Sequence, residues 1–393
     1  MPGRGYILSL DGLRAVSILL VLFSHVGFGA IVPGAFGVTL FFFISGYLIT
    51  GQLAAEIAAS GRVSLRAFYL RRALRLLPAG LAYILVSGLV FMAAGGWISR
   101  GGWAAALAYG ANYYDIWIGY RSDLAGIRHP FNILWSLAVE EHFYLLWPVA
   151  LLALSRWRGP GDGGARGWAG AMLAVGGLCL LVPLWRAGLH HACAAGPDWA
   201  LCGVPGTDGA PFRFNRLYQA SDTRIDSIAW GALAALLACV RPEGRERGGP
   251  GGIALALVLL AVAFAVPGAW FREVARTSVQ GAALAILVPA IIGADTQLRR
   301  ALERPAAILL GRASYSLYLW HWAALAIADA LAPGKGPVWL ALGLGLSAAF
   351  TVASYRGIER PMLRWRRLAG AHVAEASGAA ATEAGRLGLV GTL

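Results

Sequence analysis

Two basic side chains stand inside the first apolar stretch of the chain, LDGLRAVSILLVLFSHVGF, where a charge is out of place. Arg14 and His25 are eleven residues apart. On a helix that interval is three turns and a small remainder, so both fall on one face, about 16 Å apart along the axis. A guanidinium suits phosphate recognition. An imidazole suits proton transfer near neutral pH. Together they describe one helix face that holds a phosphate-bearing molecule at one end and does acid–base chemistry at the other. Taken singly, they read as a snorkelling arginine and a structural histidine.

Two further clusters have the right chemistry. In RRALRLLP, Arg72 and Arg75 are three apart and share a helix face. They suit a clamp on the phosphates of a nucleotide cofactor, or simply the positive charge that gathers at the inner end of a membrane span. In WSLAVEEHFYLLWP, Ser136, Glu140 and Tyr144 follow at intervals of four, again on one face. A carboxylate there needs a partner, and Glu140 beside His25 would orient the imidazole; the bland alternative is an interfacial cap. Asp222, Arg224 and Asp226 open a later apolar run and could pair with one another. His321, in SYSLYLWHW, is a rival base with an aromatic belt as its alternative. Ser45 and Gly46 in FFFISGYLIT read as helix packing, and Glu359 as a partner for nearby arginines.

The elements that must position these residues are apolar helices. Of 393 residues, 58% are hydrophobic and 13% charged, against about 25% charged in soluble domains. Ten apolar segments, 8–28, 36–54, 74–95, 133–154, 169–187, 224–240, 252–267, 278–294, 310–331 and 338–355, approach the length needed to cross a bilayer. The first carries Asp11, Arg14 and His25 and no clear cleavage site, so it reads as a retained span. The segment 103–120, with Asn112 and Asp115 among Trp and Tyr, reads as interfacial or re-entrant. The expected fold is an all-α membrane protein, a polytopic bundle of about ten transmembrane helices. About two-thirds of the 33 Lys and Arg fall on one set of loops, which predicts that both termini are cytoplasmic. The same placement accounts for the +13 net charge without nucleic-acid binding. The expected organisation is a membrane-embedded domain over 1–367 and a disordered Ala/Gly-rich tail over 368–393. Cys193 and Cys202 lie in a polar stretch and could form a disulfide if it faces an oxidising compartment; no Cys/His spacing for a metal occurs.

Six blocks, LDGLRAVSILLVLFSH, FFFISGYLIT, RRALRLLP, WSLAVEEHFYLLWP, SDTRIDSIAWG and SYSLYLWHW, occur in the order found in the acyltransferase-3 family of membrane O-acyltransferases, which the chain resembles from about Leu10 to Pro361. The resemblance implies an integral enzyme of the inner membrane that takes an acyl group, acetyl being common in the family, from a cytoplasmic acyl-CoA. The acceptor would be a hydroxyl of a carbohydrate such as a surface polysaccharide, or of a macrolide-type metabolite. The family's Arg-to-His pattern falls on Arg14 and His25, its basic pair on Arg72 and Arg75, and its Ser-Leu-x-x-Glu-x-x-Phe-Tyr pattern on Ser136, Leu137, Glu140, Phe143 and Tyr144. The expected roles follow: His25 and Glu140 catalytic; Arg14, Arg72 and Arg75 on acyl-CoA; Tyr144, Ser136, Asp226 and His321 secondary candidates; no metal. His25 would take the acceptor proton, with a covalent acyl-His relay as the alternative chemistry. Some members carry a fused esterase-like domain; this chain ends after its last span, so the stand-alone form is expected. The rival class is a transporter or flippase for a lipid-linked sugar; the chain shows no obvious internal repeat of the kind many transporters have.

Overall fold

A computed structural model describes residues 6–120, 122–155, 165–195, 199–203, 212–240, 249–363 and 365. The expected tail over 368–393 lies outside the described residues. Among the described residues every regular element is a helix, as apolar runs without alternating polarity require where backbone groups must satisfy one another inside a bilayer. The helices are α1 (Leu8–Phe23), α2 (Gly34–Ser60), α3 (Leu65–Ala93), α4 (Arg100–Leu107), α5 (Ala111–Trp117), α6 (Trp135–Ser155), α7 (Ala165–Ala195) and α8 (Trp199–Cys202). They continue with α9 (Phe212–Gln219), α10 (Ser221–Val240), α11 (Pro250–Ala265), α12 (Arg276–Gly293), α13 (Gln297–Leu302), α14 (Pro305–Arg312), α15 (Ser314–Leu331) and α16 (Pro337–Ser354).

Local sequence sets the boundaries. Gly61, at φ +68°, closes α2 in the left-handed conformation. The Ser64 hydroxyl accepts from the Ala67 amide and opens α3. Pro250, Pro305 and Pro337 open α11, α14 and α16, where a missing N–H costs nothing.

Among the described residues, eight helices are long and apolar enough to cross a membrane, so the protein is a multi-pass membrane protein. The other two expected spans differ for visible reasons. Segment 252–267 forms the 16-residue α11 and stops before Pro267 and Gly268. Segment 310–331 breaks at Ala313 between α14 and α15, and α15 carries Ser314, Tyr315, Ser316, His321 and Asp329 within 18 residues. The segment over 103–120 folds as α4 and α5, of 8 and 7 residues, too short to span. Large apolar side chains remain exposed along α3, α6 and α7, among them Leu89, Leu145, Leu146, Leu173 and Leu180. Such patches on a soluble protein would be sticky; here they are the surface that lipid wets.

The centre is α2 packed on α10. A β-carbon on Gly46 would stand 2.0 Å from the Ile228 carbonyl oxygen, and one on Gly231 would stand 2.0 Å from that of Phe43. The two backbones are in contact, as small residues permit in membrane helices. Helix α1 is fixed in the same manner: a β-carbon on Gly12 would meet Leu302, and one on Gly311 would meet Asp11.

Candidate active site

Helix α1 ends in a wide π-type turn, Ser24–Phe28, released by Gly27 at φ +105°. His25 stands on that turn and lines a cavity of about 840 Å³ with Ser24, Arg128, His129, Asn132, Tyr318 and Trp322. Its Nδ1 lies 3.0 Å from Nε2 of His321. The rings are nearly parallel, 7° apart with centroids at 5.3 Å, and Trp322 meets His25 edge-on at 5.1 Å. His321, fully buried on α15, has its own Nδ1 3.0 Å from the Leu317 carbonyl oxygen.

That chain of contacts fixes the protons. A carbonyl oxygen only accepts, so His321 Nδ1 carries the hydrogen and its Nε2 is bare. Bare Nε2 accepts, so His25 Nδ1 donates. The remaining nitrogen, His25 Nε2, is left with a lone pair. The two histidines that looked like rivals are partners, one orienting the other.

Neighbouring contacts hold this corner. Trp322 Nε1 donates to the His129 carbonyl at 2.9 Å, and the Arg128 guanidinium lies 4.7 Å from the Trp322 ring centroid. Arg128 is held by Asp329 at 2.8 Å, which also accepts from Trp339 at 2.9 Å. His129 Nδ1 accepts from the Phe131 amide at 3.1 Å and caps the short helical turn before α6. Burial lowers the His129 pKa from 6.5 to about 4, in keeping with a ring nitrogen that must stay bare. Ser136 and Tyr318 share a hydrogen bond of 2.5 Å, and Tyr318 leans on His321 at 5.9 Å.

The opposite end of α1 lines a second, larger cavity of about 1840 Å³. Among the described residues, seven arginines border it, Arg14, Arg71, Arg72, Arg75, Arg312, Arg356 and Arg360, against two carboxylates, Asp11 and Glu359. Asp11 is engaged by Tyr6 at 2.5 Å, Arg312 at 3.3 Å and Arg14 at 3.8 Å. Glu359 accepts from Ser316. The Arg72 guanidinium carbon lies 3.3 Å from the Tyr144 ring centroid, with Glu141 at 4.0 Å. The buried Ser17 and Ile18 lie on α1 between the two cavities.

An acyltransferase-domain family profile matches residues 7–356. The chain belongs to the acyltransferase-3 family. This family member is 30% identical to the peptidoglycan O-acetyltransferase OatA of Listeria monocytogenes over 91% of its own length and 56% of that protein's. It is 27% identical to a Staphylococcus aureus protein whose name proposes an O-acetyltransferase, over 92% and 59% of the two lengths. It is also 27% identical to Bacillus subtilis YrhL, whose name proposes a peptidoglycan O-acetyltransferase, over 91% and 55%. The chain thus spans a little over half the length of these relatives. No solved structure matches it.

The fold brings most of the sequence-selected residues to these two cavities. Arg14, Arg72 and Arg75 border one; His25 lines the other, with His321 in contact. Glu140 goes elsewhere: its Oε1 accepts from Ser45 at 2.6 Å, so the group that orients His25 is His321 and not Glu140. Ser45 therefore bonds a carboxylate as well as sitting beside a packing glycine. Asp226 binds Arg186 at 2.8 Å and Ser278 at 2.5 Å, locking α10 to α7 and α12. Asp222 binds Arg216 at 2.6 Å. The Asp222–Arg224–Asp226 pairing that the sequence left open does not form, because residues two apart leave a helix on different faces. Sequence reasoning missed Arg128, which stands in the loop before the Pro130–Leu134 turn, and Arg312 and Arg356, which sit at helix ends where basic residues are common. Cys193 and Cys202 are joined by a disulfide.

Proposed function

We propose that this chain is a membrane O-acyltransferase that moves an acyl group, acetyl in the simplest case, from acyl-CoA to a carbohydrate hydroxyl. The single observation that carries the reading is the lone pair left on His25 Nε2 by the Leu317–His321–His25 relay, facing a cavity opposite an arginine-lined one on the same helix. In this reading the arginine-lined cavity receives acyl-CoA. Arg14, Arg72 and Arg75 hold its phosphates by charge-assisted hydrogen bonds, and its thin pantetheine arm runs along α1 toward His25. The acceptor enters the other cavity. His25 Nε2 takes the proton of the acceptor hydroxyl as that oxygen attacks the thioester carbonyl carbon. The new C–O bond forms, the C–S bond breaks, and coenzyme A leaves as its thiol after taking up a proton. Glu140 acts at a distance, through Ser45 and the core around Tyr144.

Orientation follows the same logic. The excess of basic loops lies with the arginine-lined cavity. The disulfide lies at the other end, where Gly203, next to Cys202, packs on Ile116 of α5, and oxidised pairs belong outside the cytoplasm. Both termini are then cytoplasmic, the acceptor cavity opens outward, and the protein resides in the inner (plasma) membrane. The relatives' names point to a cell-wall glycan as the acceptor class.

The test is transfer of labelled acetyl from acetyl-CoA by purified protein in nanodiscs, with a cell-wall glycan as acceptor. His25→Ala should lower the rate by roughly 10²–10⁴-fold, the usual share of a general base. Paired Arg72→Glu and Arg75→Glu should raise KM for acetyl-CoA and leave KM for the acceptor alone. Normal transfer by the His25 variant would end this reading.

A further inference from the structure

The acceptor cavity contains more positive charge than its own carboxylates neutralise. Arg128 is matched by Asp329 at 2.8 Å and Arg186 by Asp226 at 2.8 Å. Arg224 and Arg276, which also line the cavity, have no carboxylate within ion-pairing distance among the described residues. Arg224 is 1% exposed. Its Nη2 donates to Thr39 Oγ1 at 3.3 Å, while its Nε and Nη1 have no hydrogen-bond partner among the described residues. Its guanidinium lies 5.1 Å from the Tyr218 ring centroid and 5.5 Å from that of Phe42. Arg276 Nε is likewise buried and unpartnered.

Aromatic faces compensate a buried cation only in part, and a guanidinium within a membrane helix without an anion is strongly disfavoured. A side chain so placed stays only if something supplies the missing negative charge. We propose that the acceptor itself does: it carries a carboxylate or phosphate that Arg224 and Arg276 bind while one of its hydroxyls lies at His25 Nε2. This rests on the reading that the cavity beside His25 receives the acceptor. It deepens that reading by making the acceptor an anionic glycan and by turning the two arginines into the device that sets which hydroxyl reaches the base. Planar bidentate recognition of an oxyanion is what a guanidinium does and an ammonium does less well.

Calorimetric binding to the full chain in nanodiscs decides it, with glucuronic acid, glucose 6-phosphate and glucose as probes. Wild type should bind at least one of the two anionic sugars at least tenfold more tightly than glucose, and whichever is tighter identifies carboxylate or phosphate as the group recognised. Arg276→Gln should shrink that preference to under threefold, and Arg224→Lys should weaken it in the same direction. Arg276 is partly exposed, so its variant folds even if the Arg224 variant does not. Equal affinity for all three sugars in wild type, or a preference untouched by Arg276→Gln, overturns the proposal. The His25→Ala chain separates the two ideas: the anion preference persists there when transfer is lost. If wild-type protein prefers anions but transfers no acetyl, the subsite stands and the acyl-transfer reading fails.

Discussion

Replacing His321 by Phe keeps an aromatic ring and removes the acceptor that His25 Nδ1 uses at 3.0 Å, along with the N–H that reaches the Leu317 carbonyl oxygen. The buried Nδ1–H of His25 is then unsatisfied, at a cost of about 1–3 kcal/mol. The ring escapes that cost by moving its hydrogen to Nε2, which turns the base into a donor at the atom that faces the cavity. At about 1.4 kcal/mol per factor of ten, the fraction of enzyme holding a usable base falls roughly 5–150-fold. The expected result is a loss of kcat of about 10–100-fold, with KM for acetyl-CoA unmoved, because the arginine-lined cavity is at the far end of α1. The loss should be smaller than for His25→Ala. The double variant should be no worse than His25→Ala alone, since His321 acts only through His25. ¹⁵N spectra of labelled imidazoles should show the His25 hydrogen on Nδ1 in wild type and on Nε2 in His321→Phe. A variant whose kcat stays within threefold of wild type, or a double variant that loses the product of the two single effects, would refute the relay.

Other outcomes follow from geometry away from the relay. Gly231→Ala places a methyl 2.0 Å from the Phe43 oxygen, so α2 and α10 must part; overpacking of this kind costs about 1–3 kcal/mol, and a melting temperature equal to wild type would show that the two backbones are not in contact. His129 titrates near pH 4 in the folded chain against an ordinary value of 6.5, so the unfolded chain binds the proton first as pH falls. Its contribution to stability is therefore full above about pH 6.5 and is lost toward pH 4. The melting temperature of wild type should drop over that window more steeply than that of His129→Asn, which keeps a capping acceptor; parallel curves would remove His129 as the cause.

How much of this was legible depends on the range over which each contact acts. Arg14 and His25 could be placed on one face from their spacing, because a helix repeats without help from the rest of the fold. The basic pair Arg72 and Arg75 was visible for the same reason. The His25–His321 contact joins positions 296 residues apart, and no local pattern encodes it; from the sequence the two imidazoles could only compete for one role. Glu140 was expected at His25 because a carboxylate and an imidazole attract, but α6 packs on α2 and Ser45 lies nearer. The segments 252–267 and 310–331 fold as helices of 16 and 18 residues, shorter than the apolar runs suggest, because apolar content is legible while the break at Ala313 depends on how α14 and α15 pack. Arg224 looked paired in a string of alternating charges, and only the helix in three dimensions separates its face from those of Asp222 and Asp226.

The glycine contacts that fix α1 have one more consequence. With Asp11 backed against Gly311 and Gly12 against Leu302, the helix cannot slide, so the interval from Arg14 to His25 acts as a ruler of about 16 Å. A donor anchored by its phosphates at one end delivers its reactive carbon only if its arm matches that length. Short activated acyl compounds such as acetyl phosphate fall far short of the imidazole and should be refused however reactive they are.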